Sequence, residues 1–225
     1  INVTLSGNST SGTGGGIDAT SYDQLNLSFV TLTQNQAARG GGIYSDGLVG
    51  AKQLKAVLLV GNHAPEGPEC YGQLTSAGYN GVANLEDCAL TAMPTDVIGQ
   101  PLELAPLDTL TFTHPLLDGS WALDRVPAEA CVDLFGEPVG SDQRGVTRPQ
   151  GTHCDIGAWE RIVPVASEPT TRLPEIITLA APYPNPFHRR VQVRFGLPKA
   201  QHVRLVVYDV LGREVARLQE AFLPA

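Results

Sequence analysis

Three asparagines fall at equal intervals, Asn8, Asn35 and Asn62, each 27 residues after the last. The residues ahead of them align as well: "VTLSGN" (3–8), "VTLTQN" (30–35) and "VLLVGN" (57–62). The first two copies continue into the same glycine run, "GGGI" at 14–17 and at 40–43, and the third replaces it with the cysteine-bearing "NHAPEGPEC". A unit this short cannot bury its own apolar face, so it has to stack on its neighbours. A short apolar strand, a turn residue, a glycine run and a second short strand predict one coil of a right-handed parallel β-helix. Val3, Val30 and Val57 then form one inward ladder, and Leu5, Leu32 and Leu59 a second. Asn8, Asn35 and Asn62 are expected at a coil corner, where side-chain amides hydrogen-bond between coils and asparagine tolerates left-handed backbone. Neither glycine run carries the Lys-Ser/Thr of a phosphate loop or opens an apolar-periodic helix, so both read as sharp corners.

Composition agrees with an all-β chain. Aromatics make up 6% of its 225 residues, whereas Gly (24) and Pro (17) are abundant, which favours short strands and many turns over helices. No apolar run reaches the length of a membrane-spanning helix. The chain starts at Ile1 without an initiator Met or a signal peptide, as a mature product or a fragment of a longer protein would. Charge is unevenly spread. Residues 183–218 hold seven Arg or Lys against two acids, a local +5, while residues 1–182 hold eight basic and twenty acidic side chains, a local −12. Such asymmetry marks separate modules. The basic residues are spread through predicted strands and not gathered into one arm, which argues against nucleic acid as a partner.

The four cysteines, Cys70, Cys88, Cys131 and Cys154, form no C-x-x-C pair, so a zinc site is not expected. An even count in a loop-rich chain predicts disulfides in an oxidising compartment, paired in sequence order as Cys70–Cys88 and Cys131–Cys154. Each would close a loop worth roughly 3 kcal/mol. Buried free thiols are the alternative.

The coils are expected over residues 1–88. Residues 89–141 are Pro-punctuated and weakly patterned, and 89–160 read as a cap on the last coil, held by Cys131–Cys154, since a solenoid end exposes strand edges and core. Asp142, Arg144, Arg148, Asp155 and Glu160 place both signs in a short span. A carboxylate pair with an Arg clamp would look similar, but a salt-bridged turn locking the cap is the preferred reading. Residues 161–178 hold three prolines and no periodicity, which suits a linker. In residues 179–225, "YPNPF" (183–187) precedes "VQVRFGLP" and "HVRLVVYDV", both alternating with period 2, and "DVLGRE" supplies a turn. The prolines around Asn185 forbid helix and central strand, so the motif is an extended entry. The expected product is a small antiparallel β-sandwich of immunoglobulin-like type.

These stretches carry two resemblances. The paired "GGGI" and apolar-x-x-Asn repeats look like coils of bacterial surface β-helices, including polymorphic outer-membrane adhesins. The stretch 61–88, with "DQRGVTRPQGTHCDIGAWE" (142–160), resembles the choice-of-anchor Q domain, and that match spans roughly residues 1–160. It implies a β-helical ending on a secreted or surface protein that continues into one of several C-terminal sorting signals. Residues 179–218 resemble the type A sorting domain of type IX secretion substrates, through Tyr183, Pro184, Asn185, Pro186, Phe187, Tyr208, Asp209, Leu211, Gly212, Arg213 and Glu214. That resemblance implies export across the outer membrane of a Gram-negative bacterium by the type IX machinery, followed by surface attachment or release. The family continues with a further hairpin and closing strand, whereas this chain stops at "QEAFLPA", so the sandwich is expected to be incomplete, either truncated or closed by strand addition from another chain.

Catalysis is not expected. Polysaccharide-cleaving β-helices need carboxylates converging on one groove, and Asp18, Asp23 and Asp46 do not recur at the repeat spacing. His63, His114, His153, His188 and His202 are scattered without a nucleophile motif. No cofactor is expected, and no motif supports even a structural calcium. The sequence therefore points to an extracellular scaffold or adhesin whose partners are the secretion machinery, a surface polysaccharide or protein, and further copies of itself. Two alternatives remain: a polysaccharide lyase or hydrolase whose catalytic coils lie upstream of Ile1, and a self-assembling filament subunit.

Overall fold

The computed structural model describes residues 1–20, 24–45, 50–163, 176–180, 182 and 191–223. Together they form an all-β protein, with one 3-10 turn at Ala128–Ala130. The chain divides into two compact units, 1–163 and 164–225, a boundary that falls inside the stretch read as a linker. Residues 164–175 of that stretch and the whole of 183–187 lie outside the described residues.

In the first unit, the first two copies of the repeat each add one strand to one parallel sheet and two to a second. The first sheet runs in the order β1 (Val3–Ser6), β4 (Val30–Thr33), β7 (Leu58–Val60), β9 (Gly81–Val82) and β11 (Val97–Ile98). The second runs β2 (Ile17–Asp18), β5 (Ile43–Tyr44), β8 (Cys70–Ser76), β6 (Ala51–Lys55) and β3 (Gln24–Ser28), with β10 (Cys88–Thr91) also on β8. Register follows the repeat: Val3 pairs with Val30 and Leu32 with Leu59, both 27 apart. The interval then shortens, to 23 at Leu58 with Gly81 and to 16 at Gly81 with Val97. The shortening has a visible cause. Two strands of an earlier copy, β5 and β6, both pair with the single strand β8, through Cys70 and Tyr71 at one end and Thr75 and Ser76 at the other.

Between the sheets lies a core of Val30, Leu32, Ile43, Leu54, Val57, Leu59, Cys70, Leu74, Val82 and Cys88. The expected Val and Leu ladders run through it, except that Val3, on the edge strand β1, stays 42% exposed. Two columns of left-handed residues frame the first sheet, at Asn2, Phe29, Ala56 and Tyr79 before its strands and at Gly7, Gln34 and Gly61 after them. The left-handed residue at the corner is thus the one preceding each repeat asparagine. It turns the chain and leaves the asparagine free to reach the neighbouring strand, a correction to the expectation that the asparagine itself adopts that backbone.

The middle glycine of the repeated run answers a steric demand. A Cβ at Gly41 would sit 2.5 Å from the Pro68 carbonyl oxygen and 2.7 Å from that of His63, because consecutive copies touch backbone to backbone there.

Residues 101–160 do more than close the last strand. They cover the outer face of the first sheet along its whole width. Asn2 Nδ2 donates to Ser141 O (2.7 Å), Thr4 Oγ1 to Gln143 Oε1 (2.7 Å), and Ala158 N to Thr31 Oγ1 (2.9 Å). A second core forms under this layer from Phe29, Ala56, Leu58, Val97, Leu102, Leu116, Ala122, Val126, Cys131, Val139, Cys154 and Ile156. The physical reason is that the sheet is apolar on both sides: Leu59 faces the inner core while Leu58 faces the flank.

In the second unit, β14 (Thr178–Leu179) pairs antiparallel with β15 (Phe195–Gly196), and β16 (Gln201–Tyr208) with β17 (Glu214–Leu223). Regular strand in "VQVRFGLP" is confined to Phe195–Gly196, although Gln192 and Arg194 are exposed and Leu197 is buried, as the alternation requires. Val203 and Leu205 share the partly buried face, but Val207 is 40% exposed. Register shifts at Leu205/Val206 and Val207/Tyr208 rotate it out, as bulges do.

Candidate functional site

The asparagines make a continuous ladder. Asn8 donates to Asn35 Oδ1 from its backbone (3.1 Å) and its amide (2.9 Å), and Asn35 repeats both bonds to Asn62 Oδ1 (3.1 and 2.9 Å). Each amide also reaches a strand carbonyl, Asn35 Nδ2 that of Leu5 and Asn62 Nδ2 that of Leu32, both at 2.9 Å. The ladder ends on a buried carboxylate: Glu69 accepts from Gly61 N (2.8 Å) and Asn62 Nδ2 (2.7 Å). Burial raises the Glu69 carboxyl above the usual range despite those bonds. A fourth asparagine, Asn80, does the same work at the other end of the strand, accepting from Val57 N (2.9 Å) and donating to Leu54 O (3.1 Å). The shortened interval hides it from the repeat.

Cys70 and Cys88 are joined, as are Cys131 and Cys154, with Cα separations of 5.2 and 6.3 Å. The first bond spans strands β8 and β10, and the second ties the flanking layer to the short pair β12 (Val126–Pro127) and β13 (His153–Cys154).

Asp142, Arg144, Arg148, Asp155 and Glu160 come together as one buried knot. Arg148 reaches Glu160 Oε2 (3.2 Å) with both side chains at most 1% exposed, and donates to the carbonyls of Asp155 (2.8 Å) and Gly157 (2.6 Å). Arg144 pairs with Asp142 (2.7 Å), donates to Glu160 O, and lies over the Trp159 ring at 4.5 Å. Each carboxylate is filled by backbone donors: Asp142 by Arg144, Val146 and Glu160, Asp155 by Asp124 and Arg161, and Glu160 by Gln150 and Asp155. Burial raises the Asp155 and Glu160 carboxyls and lowers the Arg148 guanidinium. Asp142, Asp155 and Glu160 are all buried with their oxygens taken by backbone donors, so the set organises the surrounding backbone.

Two contacts lay beyond sequence reasoning, because each joins segments far apart in the chain. His114, 2% exposed, accepts or donates at both ring nitrogens, Nε2 with Ser6 Oγ (2.8 Å) and Nδ1 with Ala105 O (2.9 Å). It fastens the flank to the edge strand β1. The other is an open cleft of ≈ 440 Å³ beside the edge strand β11, lined by Tyr79, Asp96, Ile98, Gln100, Trp121 and Arg125. Trp121 is 42% exposed there, and the Arg125 guanidinium lies over its ring at 4.6 Å. Among the described residues no group of three or more His, Cys, Asp or Glu side chains is placed to hold a metal ion.

Of the sorting-motif residues, Tyr183–Phe187 fall outside the described residues. Tyr208 and Leu211 are 57% and 74% exposed beside the hairpin turn. Asp209 organises that turn, accepting from Leu211 N (2.9 Å), Arg213 N (3.0 Å) and Arg213 Nε (2.7 Å), with Gly212 at φ 77°. Glu214 pairs with Arg204 (3.2 Å) and Arg217 (3.0 Å).

No family model matches the chain, and neither a curated protein nor a solved structure matches it.

Proposed function

We propose that the chain is a non-catalytic extracellular scaffold or adhesion protein, built as a right-handed parallel β-helix and exported by a type IX pathway. The observation that carries this reading is the in-register stacking of successive repeat copies, Val3 on Val30 and Leu32 on Leu59, with the asparagine ladder beside it. Stacking of that kind yields a stiff, extendable body of quasi-one-dimensional character. Two disulfides favour an oxidising compartment. Among the described residues no helix is long and apolar enough to cross a membrane. The saturated carboxylates of the knot support a structural role over acid–base chemistry.

The sorting role of the second unit rests on its sequence resemblance and on the β16–β17 hairpin with its Asp209 turn. In this reading the two short sheets of the second unit are parts of an immunoglobulin-like sandwich. The test is fractionation. The full chain, behind a periplasmic leader, is expressed in a bacterium that carries type IX machinery, alongside a version lacking residues 179–225. The full chain is expected at the cell surface or in the medium and the shortened one in the periplasm. The same distribution for both would overturn the export reading.

A further inference from the structure

We propose that the cleft beside β11 binds a carboxylate-bearing sugar unit of an acidic polysaccharide, with Arg125 as the carboxylate fork and Trp121 as the ring platform. The starting point is an unpaired charge. In the first unit Arg39, Arg144, Arg148 and Arg161 all form ion pairs, to Glu66, Asp142, Glu160, and Asp118 with Asp124. Arg125 forms none among the described residues. Its Nε donates to the Trp121 carbonyl (2.9 Å), which fixes the side chain over the indole and leaves the two terminal nitrogens without a partner among the described residues. Asp96, the acidic residue of the lining, makes no ion pair with it among the described residues: its oxygens accept from Asn80 N (2.8 Å), Ser76 Oγ (2.9 Å) and Met93 N (2.7 Å).

A planar guanidinium held in place, with its outer donors free, matches a carboxylate bidentately. The part of the indole that Arg125 leaves exposed gives apolar surface against which the C–H side of a sugar ring packs, and Gln100 adds an amide for hydroxyl groups. One carboxylate per sugar ring places a single charge at Arg125, the geometry that its two outer nitrogens match. An open cleft beside an edge strand admits the middle of such a chain and not only its end. The inference deepens the adhesion reading above, and rests on it for its extracellular setting.

The test uses the intact chain and two probes, trigalacturonic acid and the neutral maltotriose, followed by calorimetry and tryptophan fluorescence. Saturable binding of the uronate, at least about tenfold tighter than the neutral sugar, is expected. Arg125→Gln and Trp121→Ala should each weaken it about tenfold or more, Arg125→Lys should weaken it too because the fork is lost, and Arg39→Gln should leave it unchanged. Thermal melts of the variants check that each is folded. No uronate binding, equal binding of both sugars, or indifference to Arg125 would each overturn the proposal. Failure here with correct export leaves the scaffold reading intact, and binding without export leaves the cleft intact, so the two can fail separately.

Discussion

At the scale of single residues, the amide ladder and the buried knot hold the first unit together through satisfied polar groups. Asn35 is fully buried with every amide hydrogen bond inside the stack, whereas Asn8 is exposed at its end. Asn35→Ala should therefore cost about 2–3 kcal/mol of unfolding free energy, because it strands buried donors and acceptors, and Asn8→Ala under about 1 kcal/mol. Urea denaturation measures both, and equal costs would contradict the ladder. Arg148→Met leaves Glu160 buried without its cation and should cost about 3–5 kcal/mol. The same groups set a pH dependence. Burial raises the carboxyls of Glu69, Asp155 and Glu160, so the folded chain binds more protons than the unfolded one between the unfolded carboxylate range, near pH ~4, and those raised values. Unfolding free energy then rises as pH falls through that window. Hydrogen bonds outweigh burial at Asp18 and hold it low, so its contribution is lost only as pH falls below the unfolded range. The denaturation midpoint should increase on mild acidification from neutral pH. A steady fall across the same range would count against the burial of these three groups.

At the scale of elements, the repeat was legible because register, ladder and corner all follow from one spacing. Asn8, Asn35 and Asn62 could be aligned by eye, and the structure bonds them in that order. What followed the third copy was harder to read. The interval contracts from 27 to 23 and then to 16 once a single strand takes the place of two, so Asn80 and the strand at Val97 have no counterpart at the repeat spacing. Nor do propensities mark Phe29 or Ala56 as left-handed residues, since the turn geometry imposes that backbone and neither side chain favours it. The flanking layer was hidden for a related reason. "VLLV" signals a strand buried on both faces, but the partner of its second face lies in irregular chain without periodicity, and the Ser6–His114 and Trp121–Arg125 contacts depend on it. Two element-level substitutions separate these demands. Gly41→Ala forces backbone apart between copies and should cost about 2 kcal/mol or more. Gly99→Ala meets no neighbour within 4 Å and carries only the penalty of a positive φ, about 1–2 kcal/mol, so its melting temperature should fall less.

At the scale of the whole molecule, the two units differ in charge and in architecture. The first is acidic, with two parallel sheets and a second core under its flank. The second is basic and antiparallel, with Val210, Leu211 and Phe222 largely exposed. The stacked acidic first unit suits the proposed scaffold role, and the basic second unit the proposed sorting role. Everything in that account depends on consecutive repeats lying directly over one another, and spin labels test that most directly. Ser9, Gln36 and His63 form one column of parallel bridges, so positions 9 and 63 are two strand spacings apart. With Ser9→Cys and His63→Cys labelled in the disulfide-intact chain, the account predicts a backbone separation of about 10 Å, read as strong dipolar broadening. A separation beyond about 20 Å, too long for two strand spacings, would contradict the stacked repeat and the scaffold built on it.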